Sequence, residues 1–177
     1  MKYIYNYKSP LGKIILSSNG TQLTGLWFEH HKHFNNEGIF IEENRILPVF
    51  EQTIKWLNIY FSGEKPDFMP EIQLTGTAFQ MEVWDILQKI PYGEVVTYGD
   101  VAAEIARKRN LKKMSAQAVG GAVGHNPISI IIPCHRVVGA SGSLTGYGGG
   151  IDKKIALLEL EKLDMKKFFV PKKGTAL

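Results

Sequence analysis

Cys134 is the only cysteine among the 177 residues, and a histidine, His135, directly follows it. A thiol becomes a strong nucleophile when it loses its proton, and a nearby imidazole is a common acceptor of that proton. A lone cysteine is also a small apolar residue that packs well in a protein core. The two residues therefore indicate either a nucleophilic site or a core position, and the surrounding sequence has to distinguish the two.

The residues before Cys134 predict that its backbone is held rigidly. Residues 130–132 are three consecutive isoleucines, which favour a buried strand. Pro133 would end that strand, because proline lacks a backbone N–H and biases the preceding residue towards extended geometry. We therefore expect Cys134 at the end of a stiff, buried strand, where a thiol is fixed in place and still reachable.

The geometry of a strand separates Cys134 from His135. Adjacent side chains on a strand point to opposite faces, so a direct hydrogen bond between them would need a turn or a bridging water. A catalytic triad would also need a carboxylate that orients His135. Glu159 and Glu161, in the last predicted helix, are the two candidates, and their spacing alone does not choose between them.

Three close histidines, His30, His31 and His33, raise the question of a zinc site. No cysteine and no second cluster of ligands accompanies them in the first half of the chain. We therefore expect a polar surface loop here and no metal site.

Composition narrows the class of protein. Hydrophobic residues make up 44% of the chain and charged residues 21%, as in an ordinary soluble globular protein. The N-terminus has no apolar stretch typical of a signal peptide, and no run approaches the roughly 20 apolar residues of a transmembrane helix. A single cysteine excludes an internal disulfide and suits a reducing compartment. We therefore expect a cytoplasmic protein that does not enter a membrane.

The positive charge is concentrated in the half of the chain that contains Cys134. Residues 75–177 carry 14 Lys and Arg against 9 Asp and Glu, whereas residues 1–74 carry 7 against 8. Residues 107–113 place five cations in seven positions. Such a run is either a solvated loop or an edge that binds phosphates. The second interpretation gains weight if a DNA-binding element lies beside it.

The first half of the chain predicts a small sheet covered by a helix. Residues 2–28 alternate in the way that is typical of a three-stranded antiparallel meander, and residues 29–47 are polar and predict irregular structure. An amphipathic helix is expected over residues 48–61. Its predicted buried face consists of Phe50, Ile54, Leu57 and Phe61. Residues 65–71, with two prolines, predict an extended linker.

Helices dominate the prediction for the second half. Thr77 and Thr97 each precede an apolar-periodic segment, and Gln80 and Asp100 stand three residues after them. This spacing is that of the capping box, in which the two side chains satisfy each other's backbone N–H groups. We therefore expect two capped helices that begin after these threonines.

A third helix is expected over residues 115–124 and consists almost wholly of small residues. Gln117 is its only side chain that could hydrogen-bond to base edges. The helix could therefore approach a groove closely without specifying sequence, and it could also pack tightly against the core. The two interpretations are compatible, because one face can pack while the other meets a partner. Two short helices in succession suggest a helix-turn-helix, although the eight-residue gap over residues 107–114 makes it a variant.

A glycine-dense loop follows Cys134 and covers residues 139–150. It lacks the lysine and the spacing of a phosphate-binding loop, so a nucleotide site is not expected. Its backbone could instead wrap around a planar ligand, because glycine leaves the backbone open to close approach. Asp152 is expected to cap the last helix, and the basic tail from Lys166 is expected to fray.

The segment Pro133-Cys134-His135-Arg136-Val137-Val138 resembles the signature of the O6-alkylguanine-DNA alkyltransferases, a family of single-turnover methylated-DNA–protein-cysteine methyltransferases. The similarity continues through residues 92–98, 118–122, 126–127, 147–150 and 157–161, and it covers nearly all of residues 77–163. The N-terminal half resembles the ribonuclease-H-like domain of the family only in its size and strand pattern.

The resemblance implies an α/β (α+β) fold with two domains. Residues 1–75 would form the ribonuclease-H-like domain, with an antiparallel sheet, a helix and the linker. Residues 76–177 would form a mostly helical alkyl-acceptor domain with a winged or variant helix-turn-helix motif. The implied partner is double-stranded DNA, bound by a monomer without a cofactor or a metal.

The resemblance also implies a reaction. Cys134 would accept the alkyl group of O6-methylguanine, and also that of O4-methylthymine, in an irreversible single turnover. His135 would act as a base through a bridging water, and Glu161 would orient its imidazole. Asn126 would hold the turn that presents the cysteine, and Tyr98 would donate a proton to the leaving guanine. The residues expected to contact DNA or the flipped base are Gln117, Ala118, Gly121, Val123, Arg136, Val137, Tyr147, Gly148 and Gly149.

Two positions depart from the family pattern. Gln117 stands where the family usually has an arginine, so we expect weaker DNA binding or slower base flipping than in an arginine variant. Gly148 stands where some members have a serine, so we expect more room for alkyl groups larger than methyl.

Two other functions compete with alkyl transfer. The first is non-enzymatic lesion binding, as in the alkyltransferase-like proteins, which lack the cysteine. The second is a cysteine hydrolase that would use Cys134, His135 and Glu161 on an acyl substrate. The presence of Cys134 argues against the first, and the basic run and the small-residue helix have no use in the second.

Overall fold

A computed structural model describes residues 2–34, 40–42 and 46–172 of the chain. The chain divides into two compact units. The first consists of residues Met1–Leu74 and Pro127–Ser129, and the second consists of residues Thr75–Asn126 and Ile130–Leu177.

The first unit contains a four-stranded sheet in the order β3-β2-β1-β4. Strands β1 (Lys2–Ser9), β2 (Gly12–Ser18) and β3 (Leu23–Phe28) form the predicted antiparallel meander. A short strand, β4 (Phe40–Glu42), pairs in parallel with β1, where the sequence predicted irregular structure. A run of three residues is too short to show the period-2 pattern of a strand, so β4 could not be predicted from the sequence. Residues 35–39 and 43–45 of the same stretch lie outside the described residues.

Helix α1 (Pro48–Phe61) covers one face of this sheet, as predicted, and begins with a proline whose fixed φ suits the first helical turn. Its buried residues are Val49, Phe50, Thr53, Trp56, Leu57 and Tyr60. Two residues of the predicted buried face, Ile54 and Phe61, are only half-buried. The buried face is therefore rotated towards the larger aromatic side chains of Trp56 and Tyr60, which stack on each other.

The outer edge of β3 is covered by two segments from elsewhere in the chain. Leu23 N–H donates to the Glu71 carbonyl, and Leu26 N–H donates to the Pro127 carbonyl at 2.9 Å. Ser129 N–H returns a bond to the Leu26 carbonyl at 2.9 Å. These bonds satisfy backbone groups that an open sheet edge would expose. They also place Pro127–Ser129 in the first unit, whereas the sequence placed these residues in the second domain.

The second unit is mostly helical, and the two threonine caps predicted from the sequence are confirmed. Thr77 and Thr97 both form capping boxes, with Gln80 and Asp100 as their partners. The helices are α2 (Ala78–Leu87), α3 (Tyr98–Lys108), α4 (Ala116–Gly124) and α5 (Ile151–Leu160). Two short strands, β5 (Val96–Thr97) and β6 (Val137–Val138), pair in parallel beside them.

Two predictions for the end of the chain are wrong. Asp152 does not cap α5, because Gly150 occupies the N-cap position and Asp152 lies in the first turn. The tail does not fray within the described residues, because Phe169 pairs with the glycine-dense loop. Leu144 N–H donates to the Phe169 carbonyl at 2.8 Å, and Phe169 N–H donates to the Gly142 carbonyl at 3.1 Å. Residues 173–177 of the tail lie outside the described residues.

In the part of the chain that the structure describes, no helix is both long enough and apolar enough to cross a membrane.

Candidate active site

Cys134 lies in a tight turn and not at the end of a strand. Residues 130–132 are buried as predicted, but they form turns, and Ile130 has a φ of 70°. Pro133, with φ −81° and ψ 64°, has the geometry of an inverse γ-turn, in which Cys134 N–H donates to the Ile132 carbonyl at 2.8 Å. A 3₁₀ turn over Cys134–Arg136 follows. The prediction of a strand is therefore wrong, because an apolar run reports burial and not backbone conformation.

Asn126 fixes this turn through its side chain. Its amide nitrogen donates to the Ile132 carbonyl at 2.8 Å, in a buried hydrogen bond across six residues. A β-branched residue such as Ile130 rarely has positive φ, at a cost of about 1–3 kcal/mol. The bond from Asn126, together with the pairing of Ser129 to β3, holds the backbone on either side of Ile130 in place.

The Cys134 thiol is buried, and burial raises its pKa. A hydrogen bond from Asn126, the charge of Lys154 and nearby backbone N–H groups act in the opposite direction but do not outweigh burial. At neutral pH the resting side chain is therefore a protonated thiol. Its conversion to a nucleophilic thiolate needs a base.

His135 is paired with Glu161 in the interior of the protein. The distance between His135 Nε2 and Glu161 Oε1 is 2.6 Å, and both side chains are fully buried. Burial lowers the pKa of His135, so its imidazole is neutral at pH 7. Burial favours a raised pKa for Glu161, but hydrogen bonds from His135 and Arg136 and the positive charge of Arg136 outweigh it and lower this pKa to about 2. The neutral ring therefore donates from Nε2 to an ionised carboxylate, and Nδ1 is its proton-accepting nitrogen.

The structure also chooses between the two glutamates that the spacing left open. Glu161 is buried beside His135, whereas Glu159 is exposed.

Arg136 was expected to contact DNA, and the structure places it inside the protein instead. Its Nε donates to Glu161 Oε2 at 2.9 Å, its Nη2 to Glu161 Oε1 at 3.0 Å and its Nη1 to the Ile90 carbonyl at 2.7 Å. The guanidinium also lies 5.6 Å from the ring centre of Tyr92. A buried glutamate needs a positive partner, and Arg136 is that partner.

Tyr98 lies at the start of α3, where its side chain is buried close to the thiol. Its hydroxyl donates to the Thr145 carbonyl at 3.2 Å, with the Gly146 carbonyl at 3.4 Å. Burial, with a smaller contribution from Cys134, raises its pKa further above 10. The hydroxyl therefore keeps its proton at neutral pH. Tyr147, Gly148 and Gly149, in the same glycine-dense loop, are half-buried.

Lys154 is a polar residue of this site that the sequence reasoning missed. It is 0% exposed, and its Nζ donates to the Val137 carbonyl at 2.6 Å and to the Thr145 carbonyl at 3.0 Å. Burial lowers its pKa to about 8. A signal was present in the sequence, because Lys154 stands three and four residues before Leu157 and Leu158, on the apolar face of α5.

Helix α4 has one exposed face made of small residues. Gln117, Ala118 and Gly121 are exposed, and the space beside the Gly121 Cα is open. Val123 was expected among the DNA contacts, but it is buried on the opposite face. The Val137 side chain is also buried, and only its backbone remains a candidate for the pocket.

The basic run beside α4 is partly neutralised. Arg107, Lys108 and Arg109 form ion pairs with Glu104, Asp85 and Glu82. Lys112 and Lys113 are exposed. These last two cations are the better placed of the run to meet phosphates.

Within residues 2–34, 40–42 and 46–172, no three His, Cys, Asp or Glu side chains gather in a way that could bind a metal ion. His31 is buried, where the sequence predicted a polar surface loop, and burial together with the neighbouring His33 lowers its pKa to about 4.

Comparisons with known proteins show the family to which the sequence and the fold are similar. Residues 78–163 match the family model of the 6-O-methylguanine DNA methyltransferase DNA binding domain, and residues 1–74 match that of the ribonuclease-like domain. The methylated-DNA–protein-cysteine methyltransferase of Mycobacterium tuberculosis is 46% identical over 154 residues, which are 87% of this chain and 88% of that protein. The protein of the same name from Haemophilus influenzae is 41% identical over 162 residues, which are 91% of this chain and 87% of that protein.

A solved structure is also similar over most of its length. The crystal structure of Mycobacterium tuberculosis OGT in complex with DNA matches with a TM-score of 0.80 at 42% identity, and the match covers 94% of each chain. Two family models cover both halves of the sequence, and relatives that are 46% and 41% identical span most of it. The chain belongs to the methylated-DNA–protein-cysteine methyltransferase family.

Proposed function

We propose that this protein repairs DNA by accepting the alkyl group of O6-methylguanine in double-stranded DNA on Cys134. The observation that carries the proposal is the only thiol of the chain, in a turn fixed by Asn126, next to a buried His135–Glu161 pair. The same reaction would accept O4-methylthymine. The protein would act as a monomer in the cytoplasm, where a single thiol stays reduced.

His135 generates the nucleophile in this proposal. The thiol proton passes through a bridging water to His135 Nδ1, because Nε2 is already bonded to Glu161. The resulting imidazolium is stabilised by the ionised Glu161 carboxylate, whose lowered pKa keeps it charged throughout. The raised pKa of Cys134 keeps the thiol protonated until a substrate is bound, which limits side reactions.

The transfer itself is a displacement at carbon. Cys134 Sγ forms a bond to the alkyl carbon while the bond from that carbon to guanine O6 breaks, and the electron pair stays with the guanine. Tyr98 donates its proton to the leaving guanine, which would otherwise depart as an anion. The product is an S-alkyl thioether without a good leaving group, so the protein reacts once and is not regenerated.

DNA binding in this proposal uses the small-residue face of α4. Helix α4 is the second helix of a variant helix-turn-helix, and its exposed face enters the minor groove with Gln117, Ala118 and Gly121. These residues discriminate little between base sequences. The damaged base leaves the stack at a cost of a few kcal/mol. It enters a pocket lined by Tyr147, Gly148, Gly149 and the backbone of Cys134 and Val137. Two expectations stay predictions. Gln117 is expected to give weaker DNA binding or slower base flipping than an arginine, and Gly148 is expected to leave room for alkyl groups larger than methyl.

Mass spectrometry after incubation with a duplex that contains one O6-methylguanine tests the proposal. We expect the peptide with Cys134 to gain the mass of one methylene, in a yield that never exceeds one methyl per protein. A Cys134→Ala variant controls for methylation elsewhere and should gain nothing.

Two outcomes would contradict the proposal. Tight binding to the lesion without any mass change would favour the non-enzymatic lesion binder. Repeated turnover of an ester substrate that depends on Cys134 would favour the hydrolase.

A further inference from the structure

Lys154 occupies an unusual place for a lysine, and the reaction described above does not use it. Its side chain is fully buried, and its pKa of about 8 reflects the cost of that burial. Its ammonium group lies 5.8 Å from the centre of the Tyr98 ring. Its charge also acts on Cys134 and His135. Lysine is seldom fully buried without a carboxylate partner, and its two hydrogen-bond partners in the structure are backbone carbonyls.

One of those carbonyls has two donors. The Thr145 carbonyl accepts from Lys154 Nζ at 3.0 Å and from the Tyr98 hydroxyl at 3.2 Å. Tyr98 cannot donate its only hydroxyl proton to Thr145 and to a substrate at once. Proton donation to guanine therefore requires that the hydroxyl leaves the Thr145 carbonyl.

A buried carbonyl that loses its only donor carries a large desolvation cost. Lys154 removes that cost, because its own bond to the Thr145 carbonyl remains when the Tyr98 hydroxyl turns away. The same ammonium then lies beside the phenolate that is left when Tyr98 gives up its proton. Lys154 therefore favours the movement of the Tyr98 hydroxyl, and it also stabilises the phenolate that remains after the proton is donated.

We propose that Lys154 is a positioning residue for alkyl transfer, which keeps the Thr145 carbonyl hydrogen-bonded while the Tyr98 hydroxyl turns to the leaving base. This inference rests on the proposed function of the protein. No covalent bond to Lys154 forms or breaks, and the proton given to guanine comes from Tyr98.

The test measures single-turnover methyl transfer from O6-methylguanine duplex DNA, and it separates the limiting rate constant from the Kd for DNA. Lys154→Met is expected to lower the limiting rate constant by about 10- to 100-fold, with an unchanged Kd. Lys154→Leu is the second variant, with the same expectation. Lys153→Met removes the same charge from the neighbouring, partly exposed position and is expected to leave the rate constant unchanged.

A second electrophile identifies the step on which Lys154 acts. Iodomethane also alkylates a thiolate, but its leaving iodide needs no proton. Lys154→Met is therefore expected to slow methyl transfer from guanine far more than it slows alkylation of Cys134 by iodomethane. In a Tyr98→Phe background, Lys154→Met is expected to cause little further loss of methyl transfer.

The outcomes separate this inference from the function on which it rests. If the unmodified protein transfers methyl and Lys154→Met transfers it equally fast, the inference alone is wrong. Equal slowing with both electrophiles, or losses from Tyr98→Phe and Lys154→Met that simply multiply, would also overturn it. If the unmodified protein does not transfer methyl at all, the proposed function fails, and the inference fails with it.

Discussion

Glu161 is the carboxylate of the candidate site with which both His135 and Arg136 pair. Its Oε1 accepts from His135 and Arg136, and its Oε2 accepts from Arg136 and from the Gly93 backbone N–H at 3.1 Å. One carboxylate therefore orients the imidazole and also neutralises a buried guanidinium. Structure and chemistry are coupled here, because the group that would stabilise the imidazolium is also the group that keeps Arg136 inside the protein.

Glu161→Gln is expected to cost about 3–5 kcal/mol in the free energy of unfolding at pH 7, because it leaves Arg136 buried without a negative partner. It is also expected to slow methyl transfer, since the imidazolium loses its counter-charge. Urea unfolding and single-turnover kinetics measure the two effects. Glu159→Gln, two positions away and exposed, is the matched control, and it should change stability by less than about 0.5 kcal/mol. Equal effects of the two substitutions would contradict this account.

The difference in the free energy of unfolding between the unmodified protein and Glu161→Gln is expected to depend on pH. The pKa of Glu161 is lowered from 4.5 to about 2 in the folded protein, so its contribution to stability is complete above pH 4.5 and is lost as the pH falls towards 2. The difference in stability between the unmodified protein and Glu161→Gln should therefore narrow across that window. A constant difference from pH 7 to pH 2 would show that the carboxylate is not ionised in the folded protein.

At the scale of single elements, the sequence predicted the features that depend on residues close together in the chain. The N-terminal ends of α2 and α3 followed from Thr77 and Thr97, because a capping box is formed by residues three apart. The backbone of Ile130 did not follow, because its positive φ depends on bonds that Asn126 and β3 make across the chain. The backbone pairing of Phe169 with residues 142–144 is also a long-range contact, and no local sequence pattern predicts it.

That docked segment, residues 165–170, is called the C-terminal strap here. Phe168 packs with Met165 and Leu163 against a buried cluster of Val138, Leu144 and Leu158. The backbone bonds of Phe169 then fasten the strap to the glycine-dense loop, which carries the Thr145 carbonyl and the proposed pocket residues. The strap therefore stabilises the loop, and through it the position in which the Tyr98 hydroxyl rests.

Phe168→Ala is expected to destabilise the protein by about 1–3 kcal/mol, less than the roughly 3–5 kcal/mol of a fully buried phenylalanine, because Phe168 is only half-buried. It should also speed hydrogen exchange at the Leu144 amide, which donates to the strap. Phe169→Ala is the matched control, since that side chain is 50% exposed and its backbone bonds remain. Unchanged exchange at Leu144 in Phe168→Ala would show that the loop keeps its shape without the strap.

At the scale of the whole molecule, the two units are interleaved along the chain. The backbone leaves the second unit after Asn126, pairs with β3 of the first unit over Pro127–Ser129, and returns at Ile130, four residues before Cys134. The turn that presents the thiol is therefore covalently continuous with an edge segment of the N-terminal sheet. If that sheet unfolds, Pro127–Ser129 loses its partner, and Ile130 loses one of the constraints that impose its positive φ.

The interleaving predicts that damage to the core of the first unit will expose the thiol of the second. Leu57→Ala, at a fully buried position of α1, is expected to destabilise the first unit by about 2–5 kcal/mol. Hydrogen exchange at the amides of β2 and the reaction of Cys134 with a thiol reagent should then rise by similar factors, because both report the same opening. Leu111→Ala, which removes a side chain that is 47% exposed in the second unit, should change neither. Faster exchange in β2 with an unchanged reactivity of Cys134 would mean that the turn around Ile130 keeps its conformation without the sheet, and that the strain at this residue is borne by Asn126 and the second unit alone.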